Sequence, residues 1–246
     1  MERKYEKMWS QRLGREMELL VFGRSGQPVV VFPTSGGRFY EFEDQGMVAV
    51  LADRIEAGAV RLWCVDSING ESWYNRLLTP RQRVLRQVEY EKYVLEELVP
   101  LMDAGNGGAG NEAGLHGTAR LAALGCSFGG YQAVNLALRH PDVFGKAVSL
   151  SGAFDLRGFL DGYYDEECYF NLPLDYLPNL ADPWYLERYR RNRTILATGW
   201  DDQCLRQNQE LDRVLREKGI PHEFDVWEAQ NTHDWPTWGR MLREYL

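Results

Sequence analysis

The first feature of this sequence that could do chemistry is a serine between two glycines. Ser127 is the third residue of Gly125–Gly129, which reads Gly-Cys-Ser-Phe-Gly. Glycines at these positions permit the sharp strand-to-helix turn that raises a serine hydroxyl above a sheet, where it can attack a carbonyl carbon. An apolar strand is predicted directly before the motif and a helical segment after it. The alternative is an ordinary turn that needs small residues, but the flanking elements favour a nucleophile.

A serine hydroxyl is a weak nucleophile unless a base accepts its proton, so the four histidines are the next candidates. His116 precedes the serine in a glycine-rich stretch. His140 ends a predicted helix, where it suits the helix dipole. His222 leads into the last predicted strand. His233 follows that strand, in the loop before the closing helix, and it fits the chain order of serine, acid, histidine. His233 is therefore the predicted general base.

The predicted acid follows the penultimate strand, Thr194–Gly199. Asp201 and Asp202 are adjacent there. Either carboxylate would hold the imidazole in the required tautomer and stabilise its charged form. The other would cap the helix that begins near Cys204. Periodicity does not choose between the two.

Hydrolysis of an acyl group also needs two backbone N–H groups directed at the developing oxyanion. Phe128, which follows the candidate nucleophile, supplies one. We expect the second from Ser35, in the turn Pro33–Gly37, because the glycines after it would let a substrate approach the backbone. The alternative is an ordinary glycine-rich turn. Aromatic side chains near the predicted sheet edge either line the pocket or fill the core. The pocket candidates are Trp73, Tyr74 and Trp235.

Strands and helices alternate around these residues. Apolar runs that suit the buried strands of a parallel sheet occur at Pro28–Phe32, Arg61–Asp66 and Arg120–Gly125. Further strands are predicted at Met17–Phe22, Lys146–Ser151, Thr194–Gly199 and Glu223–Trp227. Helices are predicted at Phe42–Ala57, Pro80–Met102, Gln132–His140, Leu205–Gly219 and Trp235–Tyr245. This order indicates an α/β fold, a mostly parallel doubly wound sheet with helices on both faces, in a single domain over residues 1–246.

Two stretches depart from the alternation. Gly105–Gly117 is rich in glycine, asparagine and alanine, which predicts a surface loop. Residues 154–192 are aromatic and rich in proline and aspartate, with short helical signals. We expect them to form a short lid-like excursion outside the sheet.

The composition excludes several classes of function. A net charge of −8 opposes nucleic-acid binding, which needs a basic surface. No stretch approaches the roughly 20 apolar residues of a membrane span, and the charged start lacks the apolar region of a signal peptide. The four cysteines show neither C-x-x-C spacing nor a histidine pairing suited to zinc. We therefore expect a cytoplasmic protein with reduced thiols that needs no metal or cofactor and acts on a small molecule.

Taken together, these segments resemble the "Putative esterase" family, the esterase D-like and mycolyltransferase-like branch of the α/β-hydrolase superfamily. The resemblance runs along nearly the whole chain. It rests on Phe32–Gly37, Asp66–Ser67, Ser72–Asn75, Gly125–Ser127, Arg139–Phe144, Ser151–Gly152 and His233–Pro236.

The resemblance implies an α/β-hydrolase fold with Ser127 as nucleophile and His233 as base. The family pattern Gly-x-x-Asp falls on Gly199–Asp202, which favours Asp202 over its neighbour. There are two departures from the family: Pro33 and Thr34 replace the usual His-Gly of the oxyanion turn, and residues 154–192 are short for a lid.

The leading functional hypothesis is hydrolysis of a carboxylic ester through an acyl-enzyme on Ser127. Two other functions use the same features. One is acyl transfer to an alcohol by the same triad, and the other is a catalytically silent binding protein, because a fold alone does not establish activity. The residues indicate neither the acyl and alcohol groups of the ester nor the oligomeric state.

Overall fold

Within residues 1–105, 120–228 and 233–246, which this computed structural model describes, eight strands form one sheet. Their order across the sheet is β1-β2-β4-β3-β5-β6-β7-β8. Their bounds are β1 Arg3–Ser10, β2 Arg15–Phe22, β3 Gln27–Phe32, β4 Val60–Val65, β5 Leu121–Cys126, β6 Phe144–Leu150, β7 Arg193–Gly199 and β8 Glu223–Trp227. Apart from Gly105, the loop predicted at 105–117 lies outside the described residues, and His116 lies outside them too.

The sheet is parallel except at its N-terminal edge. Strands β3 to β8 all run in one direction, whereas β2 pairs antiparallel with both β1 and β4. The prediction of a mostly parallel sheet is confirmed. The predicted alternation of strands and helices along the whole chain is wrong at its start, because β1, β2 and β3 follow one another without a helix between them.

The helices pack on both faces of the sheet. Their bounds are α1 Glu41–Asp44, α2 Met47–Val50, α3 Ala52–Glu56, α4 Pro80–Tyr93, α5 Val99–Gly105, α6 Phe128–Arg139, α7 Glu166–Phe170, α8 Pro173–Tyr176, α9 Pro183–Tyr189, α10 Leu205–Glu217 and α11 Trp235–Tyr245. The helix predicted over Phe42–Ala57 is three short helices. One break falls at Gly46, whose φ of +74° is in the left-handed region that glycine favours. The helix predicted over Pro80–Met102 contains a π-helical turn, Val94–Leu98, between α4 and α5. No helix within the described ranges is both long and apolar enough to cross a bilayer.

Two apolar layers sandwich the sheet, as the side-chain alternation of a strand requires. In β3, Val30 and Phe32 belong to one buried cluster, and Val29 and Val31 belong to the other. All six residues of β5 are buried. The central strands are therefore covered on both faces, which fixes the positions of their C-terminal ends.

Residues 154–192 lie outside the sheet and pack as part of the protein interior. The segment contains α7, α8 and α9, and its side chains Phe154, Leu172 and Tyr189 are buried in the same cluster as Val30. This burial distinguishes it from a free-standing lid. Phe159 reaches the rings of Tyr74 and Phe128, so the segment forms one side of the region described next.

Candidate active site

Ser127 occupies a strained turn between β5 and α6. Its φ is +53° and its ψ is −119°, a conformation that non-glycine residues rarely adopt. The chain is crowded at this turn: a Cβ at Gly125 would overlap the backbone of Gly129, and a Cβ at Gly129 would overlap the Phe32 carbonyl oxygen. The two glycines of the motif are therefore needed for backbone approach, and the turn presents the serine at the end of a central strand.

The structure brings Ser127, His233 and Asp202 into one hydrogen-bonded chain. His233 Nε2 lies 3.0 Å from Ser127 Oγ, and His233 Nδ1 lies 2.9 Å from Asp202 Oδ1. Because an ionised carboxylate can only accept, the imidazole donates from Nδ1, and its Nε2 is left to accept the serine proton. The three residues follow β5, β8 and β7, whose C-terminal ends meet at one edge of the sheet.

The structure distinguishes the two adjacent aspartates. Asp202 has a fully buried side chain, whereas Asp201 is exposed. The Cys204 N–H donates to Asp202 Oδ1 over 2.7 Å, so the same oxygen accepts from both Cys204 and His233. Asp202 is therefore the carboxylate in contact with the imidazole.

The Phe128 N–H is the first of helix α6 and has no acceptor within the helix. The positive end of the α6 dipole lies at the same place. In the turn after β3, the Thr34 N–H is already engaged, because it donates to Glu41 Oε2 over 2.9 Å. Among the described residues, no acceptor is within hydrogen-bond distance of the Ser35 N–H. In the described part of the chain, neither predicted oxyanion donor makes a backbone hydrogen bond.

Tyr74 contacts the side chains of both residues. Its hydroxyl donates to Ser35 Oγ over 2.7 Å, and its ring centroid lies 5.5 Å from that of Phe128. Its residue surface is 39% exposed. Ser35 and Tyr74 also line an open cavity of about 430 Å³, together with Arg15, Arg38 and Glu71. Gly36 and Gly37 of the same turn line it as well.

The other two predicted pocket aromatics lie elsewhere. Trp73 is 0% exposed and packs edge-on against Tyr131 and Phe159, so it has no surface for a substrate to contact. Its predicted place in the pocket lining is wrong. Trp235 packs at 5.0 Å against Trp238 and lines both the groove beside α2 and a small cavity that Pro33 and Arg38 also line.

Trp238 is a residue that the sequence reasoning missed. Its ring packs edge-on at 5.0 Å against the His233 imidazole, and its Nε1–H donates to Ser151 Oγ over 2.9 Å. It is buried on α11 and holds the imidazole from the side. Its spacing of three residues from Trp235 was the available signal, because residues at i and i+3 share one face of a helix.

Comparison with known proteins identifies a family for this chain. Residues 10–246 match the model of the family described as "Putative esterase". None of the curated proteins matches this sequence.

Three of the similar solved structures are esterase-related or share the fold. A ferulic acid esterase has a TM-score of 0.76 and 18% identity, over 99% of this chain and 95% of that one. An S-formylglutathione hydrolase from Agrobacterium tumefaciens has a TM-score of 0.71 and 15% identity, over 98% and 92%. MPT51 from Mycobacterium tuberculosis has a TM-score of 0.69 and 18% identity, over 98% and 96%. The α/β-hydrolase fold implied by the sequence resemblance is confirmed.

Proposed function

The chain belongs to the "Putative esterase" family and is a serine esterase, and on this basis we propose that it hydrolyses carboxylic esters through an acyl-enzyme on Ser127. One observation carries the proposal: the unbroken hydrogen-bonded chain from Asp202 through His233 to Ser127. A serine next to an oriented imidazole is the arrangement that activates this nucleophile at neutral pH.

In the first half of the reaction, Ser127 Oγ attacks the ester carbonyl carbon and its proton passes to His233 Nε2. The buried carboxylate of Asp202 stabilises the imidazolium that forms. The tetrahedral intermediate carries its negative charge on the former carbonyl oxygen. When it collapses, the C–O bond to the alcohol breaks, and the alcohol leaves with the proton from His233 Nε2.

In the second half, a water molecule attacks the acyl-enzyme. His233 Nε2 accepts the proton of this water, and the second tetrahedral intermediate collapses to the free acid. The proton returns to Ser127 Oγ, which restores the starting state. The same three residues therefore act twice, with the imidazole alternating between base and acid.

The oxyanion is held in both halves by the N–H groups of Phe128 and Ser35. Each donor of this kind contributes about 2.7–4 kcal/mol to transition-state stabilisation. The free N-terminus of α6 and the engaged N–H of Thr34 support this assignment over the neighbouring backbone groups. Tyr74 supports it indirectly, because its hydroxyl is bonded to Ser35 and its ring packs on Phe128.

The proposed substrate is a small-molecule ester. The cavity of about 430 Å³ beside Ser35 and Tyr74 is within the range of small-ligand sites. A cytoplasmic location is part of the same proposal, and it is supported by the four cysteines, which are buried and unpaired in the structure.

The test is a rapid-quench experiment with p-nitrophenyl acetate. We expect a burst of p-nitrophenol close to one equivalent per chain and an acetylated Ser127 peptide in the acid-quenched sample by mass spectrometry. The variant Ser127→Ala should show neither. Hydrolysis that persists in Ser127→Ala would reject the mechanism. Adding competing alcohols separates acyl transfer from hydrolysis, because a transferase would yield the new ester in place of acetate.

A further inference from the structure

A second chemical grouping overlaps the candidate triad. The structure brings one potential ligand atom each from Asp202, Cys204 and His233 within 4.8 Å of one another. We propose that these three side chains form a site for a thiophilic divalent cation such as Zn²⁺, and that a cation bound there inhibits the esterase. The inhibition rests on the proposed function, whereas the binding does not.

The first argument is an unused ligand atom. Asp202 Oδ1 accepts two hydrogen bonds, but Asp202 Oδ2 is buried and has no hydrogen-bond partner in the described part of the chain. A buried carboxylate oxygen without a partner is energetically costly and calls for an explanation. The carboxylate that carries this oxygen belongs to the group with Cys204 and His233, so a cation bound there would give it a partner.

The second argument is the combination of donors. A carboxylate oxygen, an imidazole nitrogen and a thiolate sulfur are the three ligand types that zinc takes in proteins. With bonds of about 2.0–2.3 Å, the donors of a tetrahedral site lie about 3.5 Å apart. The observed spread of up to 4.8 Å therefore needs a contraction of about 1 Å when a cation binds.

The third argument is charge. Asp202 is a buried carboxylate, and a buried charge must be balanced. Cys204 becomes a thiolate only when the cation binds, and the two anionic ligands then match the charge of a divalent cation. Binding replaces the S–H proton of Cys204 with an S–metal bond, and that proton is released to solvent.

The consequence for the triad follows from the histidine tautomer. A cation on Nδ1 of His233 replaces the hydrogen bond from Nδ1–H to Asp202 Oδ1, and the single proton of the neutral imidazole is then on Nε2. Nε2 lies 3.0 Å from Ser127 Oγ. Because this nitrogen then carries a hydrogen, it can no longer accept the serine proton. The cavity lined by Ser35 and Tyr74 is left open. We therefore expect the cation to lower kcat while KM changes little.

The chain offers matched control residues. Cys64, Cys126 and Cys168 are also buried and unpaired, but none of them belongs to this group. Cys168 lies on α7 in the excursion segment and is the matched control for Cys204. The Cys204 contact to Asp202 is made by its backbone N–H, so substituting its side chain leaves that hydrogen bond in place.

The binding test is a titration of the folded, metal-free protein with Co²⁺, which takes zinc sites and reports a thiolate ligand by its charge-transfer absorption. The wild type and Cys168→Ser should give a saturable band at one Co²⁺ per chain, and Cys204→Ser and Cys204→Ala should not. Thermal unfolding of each variant checks that it is folded. The absence of a band in the wild type, or an equal band in Cys204→Ala, would overturn the site.

The inhibition test measures ester hydrolysis against Zn²⁺ concentration. The activity of each protein without metal serves as its own reference. With Zn²⁺, half-inhibition of Cys204→Ala should need at least about tenfold more metal than the wild type, and a chelator should restore activity. Equal inhibition of both proteins would overturn the regulatory half. Cobalt binding in a chain that hydrolyses no ester would support the site while rejecting the proposed function.

Discussion

Two substitutions of Asp202 should have different costs, because both of its hydrogen bonds fall on one oxygen. Oδ1 accepts from His233 Nδ1 over 2.9 Å and from the Cys204 N–H over 2.7 Å, whereas Oδ2 has no partner among the described residues. An asparagine can keep its carbonyl oxygen at the Oδ1 position and place its NH₂ group where Oδ2 was. Asp202→Asn therefore keeps the imidazole orientation and removes only the charge, while Asp202→Ala removes both.

The magnitudes follow from that difference. A hydrogen bond to a charged partner contributes about 1.5–3 kcal/mol, so losing the charge alone should lower kcat by about 10- to 150-fold. Removing the whole carboxylate should lower kcat by about 10⁴-fold, the cost typical of deleting a triad acid. Asp201→Ala is the matched control, because Asp201 is exposed, and its activity should stay within about twofold of the wild type.

The assay is steady-state hydrolysis of p-nitrophenyl acetate, with thermal unfolding to show that each variant is folded. We expect the order wild type, Asp201→Ala, Asp202→Asn, Asp202→Ala, with KM nearly constant. An asparagine variant as inactive as the alanine variant would refute the single-oxygen geometry. Loss of activity in Asp201→Ala with retention in Asp202→Ala would refute the choice of acid itself.

Two further predictions address the oxyanion turn and the pH dependence of stability. Tyr74→Phe removes the hydroxyl that donates to Ser35 but keeps the ring on Phe128. Losing about 1 kcal/mol of transition-state stabilisation should lower kcat about fivefold in the ester assay. The control Tyr5→Phe, on edge strand β1, should leave kcat unchanged. Burial first, and then nearby arginines, lower the pKa of Lys146 to about 8, so the folded protein binds fewer protons than the unfolded chain above that pH. Stability should therefore rise by about 1 kcal/mol from pH 7.5 to 9.5 relative to Lys146→Met in denaturant titrations, and equal pH profiles would contradict this assignment.

The contacts of the candidate site were largely predictable because of chain order and strand direction. Ser127, Asp202 and His233 each follow a strand, and parallel strands end at the same edge of the sheet. The choice of Asp202 over Asp201 was not available from periodicity, because it depends on which carboxylate is buried. Only the family resemblance favoured it in advance.

The elements that were missed lack the patterns on which sequence reasoning depends. Strand β1, Arg3–Ser10, is mostly exposed on both faces, and only Ser10 is buried, so its charged residues give no apolar alternation. Helix α6 begins at Phe128, earlier than predicted. The prediction began too late because Gly129 and Gly130 have low helix propensity, but close packing requires glycine at both positions.

Contacts between distant parts of the chain could not be predicted from local spacing. Trp73 and Tyr74 are adjacent and both aromatic, but one is fully buried and the other is 39% exposed. Cys204 shows no zinc-type spacing to any histidine in the sequence, although folding places it beside His233. Such neighbours arise from the return of the chain to the same edge of the sheet.

The most direct measurement of the central claim is labelling of the folded protein with a fluorophosphonate, which reacts only with an activated serine. We expect one phosphonate per chain, located on the peptide that carries Ser127, with loss of esterase activity in proportion to labelling. His233→Ala should react far more slowly, because its serine lacks the base 3.0 Å away. A folded wild-type protein that hydrolyses esters but stays unlabelled at Ser127, or is labelled at another serine, would contradict the proposed mechanism.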